Sequence, residues 1–314
     1  MDHKLYLSDK GIYKSGNKFY FNKNNQEVND SKLLQFLSTF KVPPAWINVW
    51  YASNPKCHIH VYGIDQGGKK QYILSEKWIK TSKSEKFNRM KSFIKNLNAF
   101  KRKIKLKSNI LCRETLIQLL FNLLIDLHIR VGNEIYAEQN NTYGLTTLRQ
   151  KHLTFTNNTF TLTFTGKSNI EHTVDIPYEY NVWFRQLKNN KNNKNNKKNG
   201  PLFYYYDGKI QTISSEELNV YLKENMGKEY TCKDFRTYSA NMLFIKSFIK
   251  NSKKDVSPKK IILKSIDESA QQLGHTRSIS RKSYISDSLL NYCLDSFPEA
   301  SGCSPSDLLS KVWS

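Results

Sequence analysis

The chain has 314 residues, of which 39% are hydrophobic and 13% aromatic. That length is typical of roughly two domains of about 150 residues each, and the hydrophobic fraction excludes a wholly disordered chain. The 49 Lys and Arg residues outnumber the 27 Asp and Glu residues and give a formal net charge of +22. A charge of this size predicts a polyanionic partner, with nucleic acid first and an acidic membrane surface second.

Several classes of protein are disfavoured by what the sequence lacks. No apolar run approaches the roughly 20 residues that a membrane helix needs. The first residues, MDHKLYLSDK, have no signal-peptide pattern, so we expect an intracellular protein. The five cysteines are scattered and form neither a disulfide framework nor a zinc pattern, and Cys57-His58-Ile59-His60 has no second ligand pair. We therefore expect reduced, structural cysteines and no metal site.

The first part of the chain is predicted to be a small antiparallel sheet. Short segments rich in aromatic and β-branched residues alternate with Gly, Asn, Asp and Pro turns, and one helix is predicted at Ser31–Ser38. The predicted strands are Lys4–Leu7, Lys18–Phe21, Ile47–Tyr51, His58–Tyr62 and Gln71–Leu74. These patterns predict an α+β protein with a β-rich N-terminal domain at residues 1–82 and a mainly helical domain at residues 83–314.

Helical periodicity begins near Ser84 and dominates the second part. The almost continuously apolar segment Arg113–Ile129 is predicted to be a buried helix, directly followed by Arg130. A charged side chain just past a buried helix must be paired or must face a ligand, so Arg130 is a candidate functional residue. Later helices are predicted at Tyr178–Lys188, from the Ser214-x-x-Glu217 capping box to Met226, at Lys233–Lys250 and at Pro258–Leu273.

A small β-insert interrupts the helical domain. Strands at His152–Thr156, Thr159–Thr165 and Ile170–Ile176 are predicted to form a three-stranded meander, whose second turn carries Lys167. The Asn- and Lys-only segment Asn189–Asn199 is predicted to be a loop without a chemical role.

The sequence lacks the motifs of nucleotide-driven and metal-driven chemistry. It contains no G-x-x-x-x-G-K-[ST], G-x-G-x-x-G or H-E-x-x-H motif, and its acidic residues do not cluster as a two-metal nuclease requires. The remaining route to a phosphodiester is covalent attack by a side chain, with Arg, Lys and His neutralising the developing charge.

Four segments occur in the order typical of one enzyme family. They are Ile129-Arg130-Val131-Gly132-Asn133-Glu134, Thr142-Tyr143-Gly144-Leu145-Thr146-Thr147-Leu148, Lys233-Asp234-Phe235-Arg236-Thr237-Tyr238 and Leu273-Gly274-His275-Thr276 with Tyr284. From about residue 40 to residue 290 the chain resembles type IB DNA topoisomerases, in particular the small viral and bacterial group with its poxvirus-like and mimivirus-like members. Heavy use of Lys and Asn is consistent with an AT-rich viral genome.

The resemblance implies a complete reaction. It makes Tyr284 the nucleophile, Arg130, Arg236 and His275 the residues that stabilise the phosphate, and Lys167 the general acid that protonates the leaving 5′ oxygen. The product would be a 3′-phosphotyrosyl link that is resealed without ATP, metal or another cofactor after strand rotation. Taken singly, each of these residues could instead be an ordinary packing, capping or surface residue.

The resemblance also implies how DNA is held. A monomer with no nucleotide cofactor would close as a clamp on double-stranded DNA, in the cell or, for a viral protein, in the virion and where viral DNA is replicated or transcribed. The residues expected to contact DNA are Lys69, Lys70, Gln71, Tyr72, Asn133, Tyr136 and Lys233.

Two alternatives stay open at this point. A tyrosine recombinase shares the catalytic set, but it usually has His three residues before the second Arg, where this chain has Lys233. A non-catalytic basic DNA-binding or packaging protein would share the composition. Such a protein would not need Lys167, His275 and Tyr284 in that order.

Overall fold

A computed structural model describes residues 10–189, 198–253 and 255–313. The predicted strand Lys4–Leu7 and most of the predicted loop Asn189–Asn199 lie outside these described residues. The chain divides into two compact units, Met1–Lys86 and Phe87–Ser314, which we describe separately.

The first unit is built on a five-stranded antiparallel sheet with the order β2-β1-β3-β4-β5. Its helix, α1, spans Ser31–Ser38 as predicted, and the Asp30 side chain caps it by accepting a bond from the Leu33 amide. The strands are β1 Ile12–Ser15, β2 Lys18–Phe21, β3 Ile47–Tyr51, β4 Ile59–Ile64 and β5 Lys70–Leu74. Strand β1 was not predicted, although its Gly16-Asn17 turn to β2 is evident in the sequence.

The second unit is mainly helical. Its helices are α2 Glu76–Lys103 (which begins in the first unit), α3 Arg113–Asp126, α4 Glu134–Asn140, α5 Asn181–Asn189, α6 Ser215–Asn225, α7 Cys232–Asn251, α8 Pro258–Gln272, α9 Arg277–Ile279, α10 Asp287–Asp295, α11 Phe297–Gly302 and α12 Pro305–Trp313. The predicted start of α2 near Ser84 was wrong. The helix begins eight residues earlier because the Ser75 hydroxyl caps it, accepting a bond from the Trp78 amide at 3.1 Å.

The predicted β-insert is confirmed as a three-stranded antiparallel meander in the order β6-β7-β8. Its strands are β6 Leu153–Thr156, β7 Thr159–Thr165 and β8 Glu171–Asp175. The turn between β7 and β8 contains Lys167, as predicted. A short hairpin that was not predicted follows, with strands β9 Tyr205–Asp207 and β10 Lys209–Gln211 joined at Gly208.

Helix α7 lies at the centre of the second unit. Most of its residues are buried, including Phe235, whose ring packs edge-on against Phe93 of α2 with ring centroids 5.1 Å apart. The charged Asp234 is also buried, where it accepts bonds from the Thr231 amide and from Arg89 Nη2 at 3.0 Å. This burial fixes the register of α7, and with it the position of the next residue but one, Arg236.

The described part of the chain contains no helix long and apolar enough to cross a membrane. Among the same residues, no group of three or more His, Cys, Asp or Glu side chains is arranged to hold a metal ion. All five cysteines are free thiols, and Cys57, Cys232 and Cys293 are buried.

Candidate active site

Arg130 lies on a segment without regular secondary structure rather than at the end of a helix. The predicted helix Arg113–Ile129 was too long, because α3 ends at Asp126 and His128 adopts a left-handed backbone conformation (φ 55°). The segment is held by the Thr142–Leu148 motif, since the amide of Leu145 donates to the Arg130 carbonyl at 2.7 Å. The two motifs of the sequence are therefore two sides of one contact.

Two glycines make that contact possible. A Cβ atom on Gly144 would lie only 2.6 Å from the Cα atom of Gly132, so any side chain there would push the two segments apart. Gly132 also has φ 106°, a backbone conformation that side chains disfavour. The close approach directs the Arg130 side chain to His275, to whose Nε2 atom its Nη2 atom donates at 2.9 Å.

Arg236 is the most buried cation of the site, with 7% of its surface exposed. Its guanidinium donates to the carbonyl oxygens of His128 and Leu273, at the C-terminal ends of α3 and α8, and to His275 Nε2 at 3.1 Å. Helix C-termini carry negative partial charge, which favours a cation at this position. Burial, and secondly Arg130, lower the pKa of Arg236 to about 9, so the group still carries its charge at neutral pH.

His275 is uncharged at neutral pH and accepts bonds from both arginines. A guanidinium can only donate, so the Nε2 atom that faces Arg130 and Arg236 must carry the lone pair and the proton must be on Nδ1. The Nδ1 atom is 3.4 Å from the hydroxyl of the buried Ser280. Burial first, and then the two arginines, lower the pKa of His275 to about 3. The Nε2 atom therefore occupies a place suited to a stronger acceptor.

Tyr284 lies against the same histidine. Its ring stacks on that of His275, with centroids 4.5 Å apart and planes 20° apart. It ends a single π-helical turn, Ser280–Tyr284, a distortion that is frequent at functional sites. The fully buried Asn241 of α7 ties this turn in place, because its amide nitrogen donates to the Tyr284 carbonyl at 2.9 Å and its oxygen accepts from the Ser286 amide at 3.0 Å.

Lys167 is presented at the edge of the site on the exposed turn between β7 and β8. The turn is closed by a bond of 2.7 Å from the Gly166 amide to the Ile170 carbonyl. Lys167 is near enough to contribute to the lowered pKa of His275, although less than Arg236 and Arg130 do. The structure thus brings all five predicted catalytic residues into one region of the second unit.

The charges of this arrangement are suited to an anion. Side-chain nitrogen atoms of Arg130, Arg236 and His275 meet at one place. In the described residues, no carboxylate lies within ion-pairing distance of either guanidinium. Two guanidiniums with a common focus can hold the non-bridging oxygens of one phosphate by charge-assisted hydrogen bonds. Tyr284 lies beside this group of nitrogen atoms, with its ring stacked on that of His275.

The residues predicted to contact DNA from the first unit form an ordered strand edge. Asp65 accepts bonds from the amides of Gly67 and Lys69, both at 2.9 Å, and from Gln71 Nε2 at 2.7 Å. The Lys70 ammonium lies 3.7 Å from the centre of the Tyr62 ring. Tyr72 is 47% exposed. The side chains of Lys70 and Gln71 are thus held in place by neighbours that sequence reasoning did not identify.

The three predicted DNA contacts of the second unit differ in their surroundings. Asn133 is the N-cap of α4, and its side-chain oxygen accepts from the Tyr136 amide at 3.3 Å, so part of its hydrogen-bonding capacity serves the helix. Tyr136 is 48% exposed. Lys233 is exposed on the first turn of α7, three residues before Arg236.

The Ser257-Pro258 pair opens α8 with Pro in its first turn, as expected for a helix start.

Sequence reasoning missed His128, His172, Asn241 and Ser280. The His128 carbonyl accepts from Arg236, the Asn241 amide donates to the Tyr284 carbonyl, and the Ser280 hydroxyl lies 3.4 Å from His275 Nδ1. His172 lies against Gly166 and Gly274, the residues before Lys167 and His275. Such contacts leave no local pattern in a single sequence.

The lowered pKa values of three histidines predict that acid destabilises the fold. Burial lowers the pKa of His128 and His152 to about 4 and that of His275 to about 3. The unfolded chain protonates its histidines near pH ~6.5, so their contribution to stability is complete above that pH and is lost as the pH falls towards the folded values. We expect urea midpoints to decrease steadily from pH 7 to pH 5. Midpoints that stay constant or rise over this range would contradict the burial of these neutral rings.

Two family models match the chain. Residues 75–293 match the family model described as eukaryotic DNA topoisomerase I, catalytic core. Residues 18–65 match the model described as bacterial DNA topoisomerase IB, N-terminal domain.

Individual relatives are viral. The chain is 35% identical over 302 residues to DNA topoisomerase 1B of Acanthamoeba polyphaga mimivirus, covering 91% of this chain and 87% of the relative. It is 28% identical over 249 residues to DNA topoisomerase 1B of vaccinia virus (strain Copenhagen), covering 74% and 72%. DNA topoisomerase I of monkeypox virus matches at the same identity and coverage.

Proposed function

Because the chain belongs to the type IB DNA topoisomerases, we propose that it relaxes supercoiled DNA through a covalent intermediate on Tyr284. One observation carries the assignment of residues: two arginines and a neutral histidine converge without a carboxylate, and a tyrosine ring stacks directly on that histidine. The tyrosine and its phosphate-binding partners thus lie in the second unit, within the matched catalytic core.

The scissile phosphate replaces His275 Nε2 as the acceptor for both arginines. Its non-bridging oxygens accept from Arg130 and Arg236, which neutralises the charge that develops as the phosphorus becomes five-coordinate. The negative charge beside His275 raises the pKa of that ring, so that Nε2 can carry a proton and donate to the phosphate. Burial and the two arginines thus keep His275 uncharged, and the phosphate counteracts this effect when DNA binds.

The chemical step exchanges one phosphoester for another. The Tyr284 oxygen loses its proton to solvent and attacks the phosphorus, the bond to the 5′ oxygen breaks, and Lys167 gives its proton to that oxygen. The resulting 3′-phosphotyrosyl link keeps the ester bond energy. After the free end has rotated, the 5′ hydroxyl attacks in reverse and Tyr284 leaves. The reaction as written consumes no nucleotide and uses no metal, and one polypeptide carries all its groups.

Both units contribute to the grip on double-stranded DNA. In the second unit Tyr136 and Lys233 offer an aromatic and a cationic contact, and in the first unit the Lys69–Tyr72 segment offers two cations, an amide and an exposed ring. Lysines that meet phosphates fix position, whereas Gln71 can pair with an adenine edge and so read sequence. We propose that the protein contacts the duplex from both units and that it acts inside a cell or a virion.

Relaxation of supercoiled plasmid in EDTA, without ATP, tests the proposal. We expect a ladder of topoisomers that ends in relaxed circles, and denaturation during the reaction should trap protein on the 3′ phosphate of the nick. Protein found on the 5′ phosphate would exclude the type IB mechanism. Strand exchange between two marked duplexes, without a change of linking number, would identify a recombinase. DNA that migrates more slowly with the protein, but gives neither relaxed circles nor exchanged strands, would identify a protein that only binds DNA.

Asp65 is predicted to set sequence preference through Gln71. We expect Asp65→Asn to keep the turn, because its Oδ1 atom still accepts from the Gly67 and Lys69 amides, but to weaken the bond that orients the Gln71 amide. A bidentate base contact contributes about 1–3 kcal/mol of discrimination, so preference at one base pair should decrease by about 5- to 150-fold. Cleavage of a randomised duplex library measures it. Gln71→Ala should give the same profile, and a profile unlike it would contradict this role.

A further inference from the structure

His172 of β8 lies between the two loops that carry Lys167 and His275. Its ring stacks on the buried Phe164, its cross-strand neighbour on β7, with centroids 5.2 Å apart and planes 15° apart. This stacking packs one face of the His172 ring against the hairpin. The reaction described above does not use this side chain.

The tip of the ring is inserted between two glycines. A Cβ atom built on Gly166 would lie 2.7 Å from Cδ2 of His172, and one built on Gly274 would lie 2.6 Å from Cε1. Carbon atoms in ordinary contact are about 3.5–4.0 Å apart, so the ring comes this close only because both residues lack side chains. Each glycine directly precedes a predicted catalytic residue, Gly166 before Lys167 and Gly274 before His275.

We propose that His172 is a positioning residue that sets the distance between the Lys167 turn and the His275 corner, and thereby the transfer of the leaving-group proton. The inference rests on the proposed function, because it takes Lys167 as the general acid. Ile170 of the same turn completes the contact, since its Cγ2 atom would lie 3.4 Å from a Cβ atom on Gly274. Without the His172 ring, the exposed turn that carries Lys167 loses the contact that holds it at this distance from Gly274 and His275.

A displaced Lys167 side chain should change the cleavage rates of two substrates by different amounts. Protonation matters for an alkoxide leaving group but little for a thiolate, which leaves readily without a proton. A duplex with a sulfur atom in place of the 5′ bridging oxygen therefore bypasses Lys167, while it still needs Arg130, Arg236 and His275 to hold the non-bridging oxygens. A misplaced general acid and a general loss of structure thus give different results on the two substrates.

Single-turnover cleavage of the oxygen and sulfur duplexes tests the proposal. We expect His172→Ala to slow cleavage of the oxygen substrate by about 10- to 100-fold, the cost of displacing a catalytic group by about 1 Å. The loss on the sulfur substrate should be much smaller, as with Lys167→Ala. Thr173→Ala, one residue along on the exposed face of β8, should behave as the wild type. Equal losses on both substrates, or no loss, would overturn the proposal.

A second variant tests the contact of the His172 ring without removing the ring. Gly166 has φ −95°, which alanine tolerates, so Gly166→Ala acts mainly by pushing on the His172 ring. We therefore expect Gly166→Ala to slow cleavage of the oxygen duplex. The loss of rate should be smaller when His172 is also alanine, because the obstructing ring is gone. Additive losses would contradict the contact. A wild-type protein that cleaves neither duplex would refute the proposed function itself, whereas His172 and Gly166 variants that cleave the oxygen duplex at the wild-type rate would refute only this inference.

Discussion

Tyr284→Phe is expected to abolish plasmid relaxation while DNA binding is retained. The substitution removes the oxygen that would attack phosphorus, and loss of a nucleophile lowers turnover by about 10⁴-fold or more. The fold should persist, because the stacking on His275 and the Asn241 bond to the Tyr284 carbonyl do not use the hydroxyl.

The experiment compares wild type, Tyr284→Phe and Tyr178→Phe under identical conditions. Tyr178 is 79% exposed and lies outside the site, so its variant should relax plasmid as the wild type does. Covalent adduct on labelled duplex should disappear only in Tyr284→Phe. Relaxation that survives this substitution would show that another residue is the nucleophile.

Arg236→Ala is expected to reduce the rate of cleavage by about 10³-fold, the loss typical of a group that stabilises transition-state charge. Arg236→Lys should recover little of it, because one ammonium cannot reach both helix-end carbonyls and a phosphate together. The alanine variant also leaves the His128 and Leu273 carbonyls without this donor, and we expect it to lose about 1–3 kcal/mol of unfolding free energy.

Two measurements separate these effects. Denaturant unfolding reports the stability loss, and single-turnover cleavage at saturating protein reports the chemical step. Arg113→Ala is the matched control, since Arg113 forms an exposed pair with Glu217 outside the site. A rate close to that of the wild type in Arg236→Ala would mean that the phosphate binds elsewhere.

Much of the architecture is readable from local pattern. Strands Lys18–Phe21 and Ile47–Tyr51, helix α1 and the meander strand Thr159–Thr165 have the predicted bounds because hydrophobic period and turn residues specify them locally. Strand β1 and the β9–β10 hairpin were missed altogether, and other errors occur at element ends, as at the start of α2 and the end of α3. At such positions a single capping residue or a single left-handed residue sets where the helix begins or ends. The apolar pattern of the sequence does not mark that position.

The sequence by itself determined the chemistry that is available: a net charge of +22, no nucleotide or metal motif, and five residues in a family order. Only the tertiary structure decided how these residues act together. Arg236 donates to carbonyls at two helix ends, burial and two arginines keep His275 uncharged, and the His172 ring fits against two glycines. These properties depend on backbone atoms, burial and distances between segments far apart in the chain, and a one-dimensional pattern does not encode them.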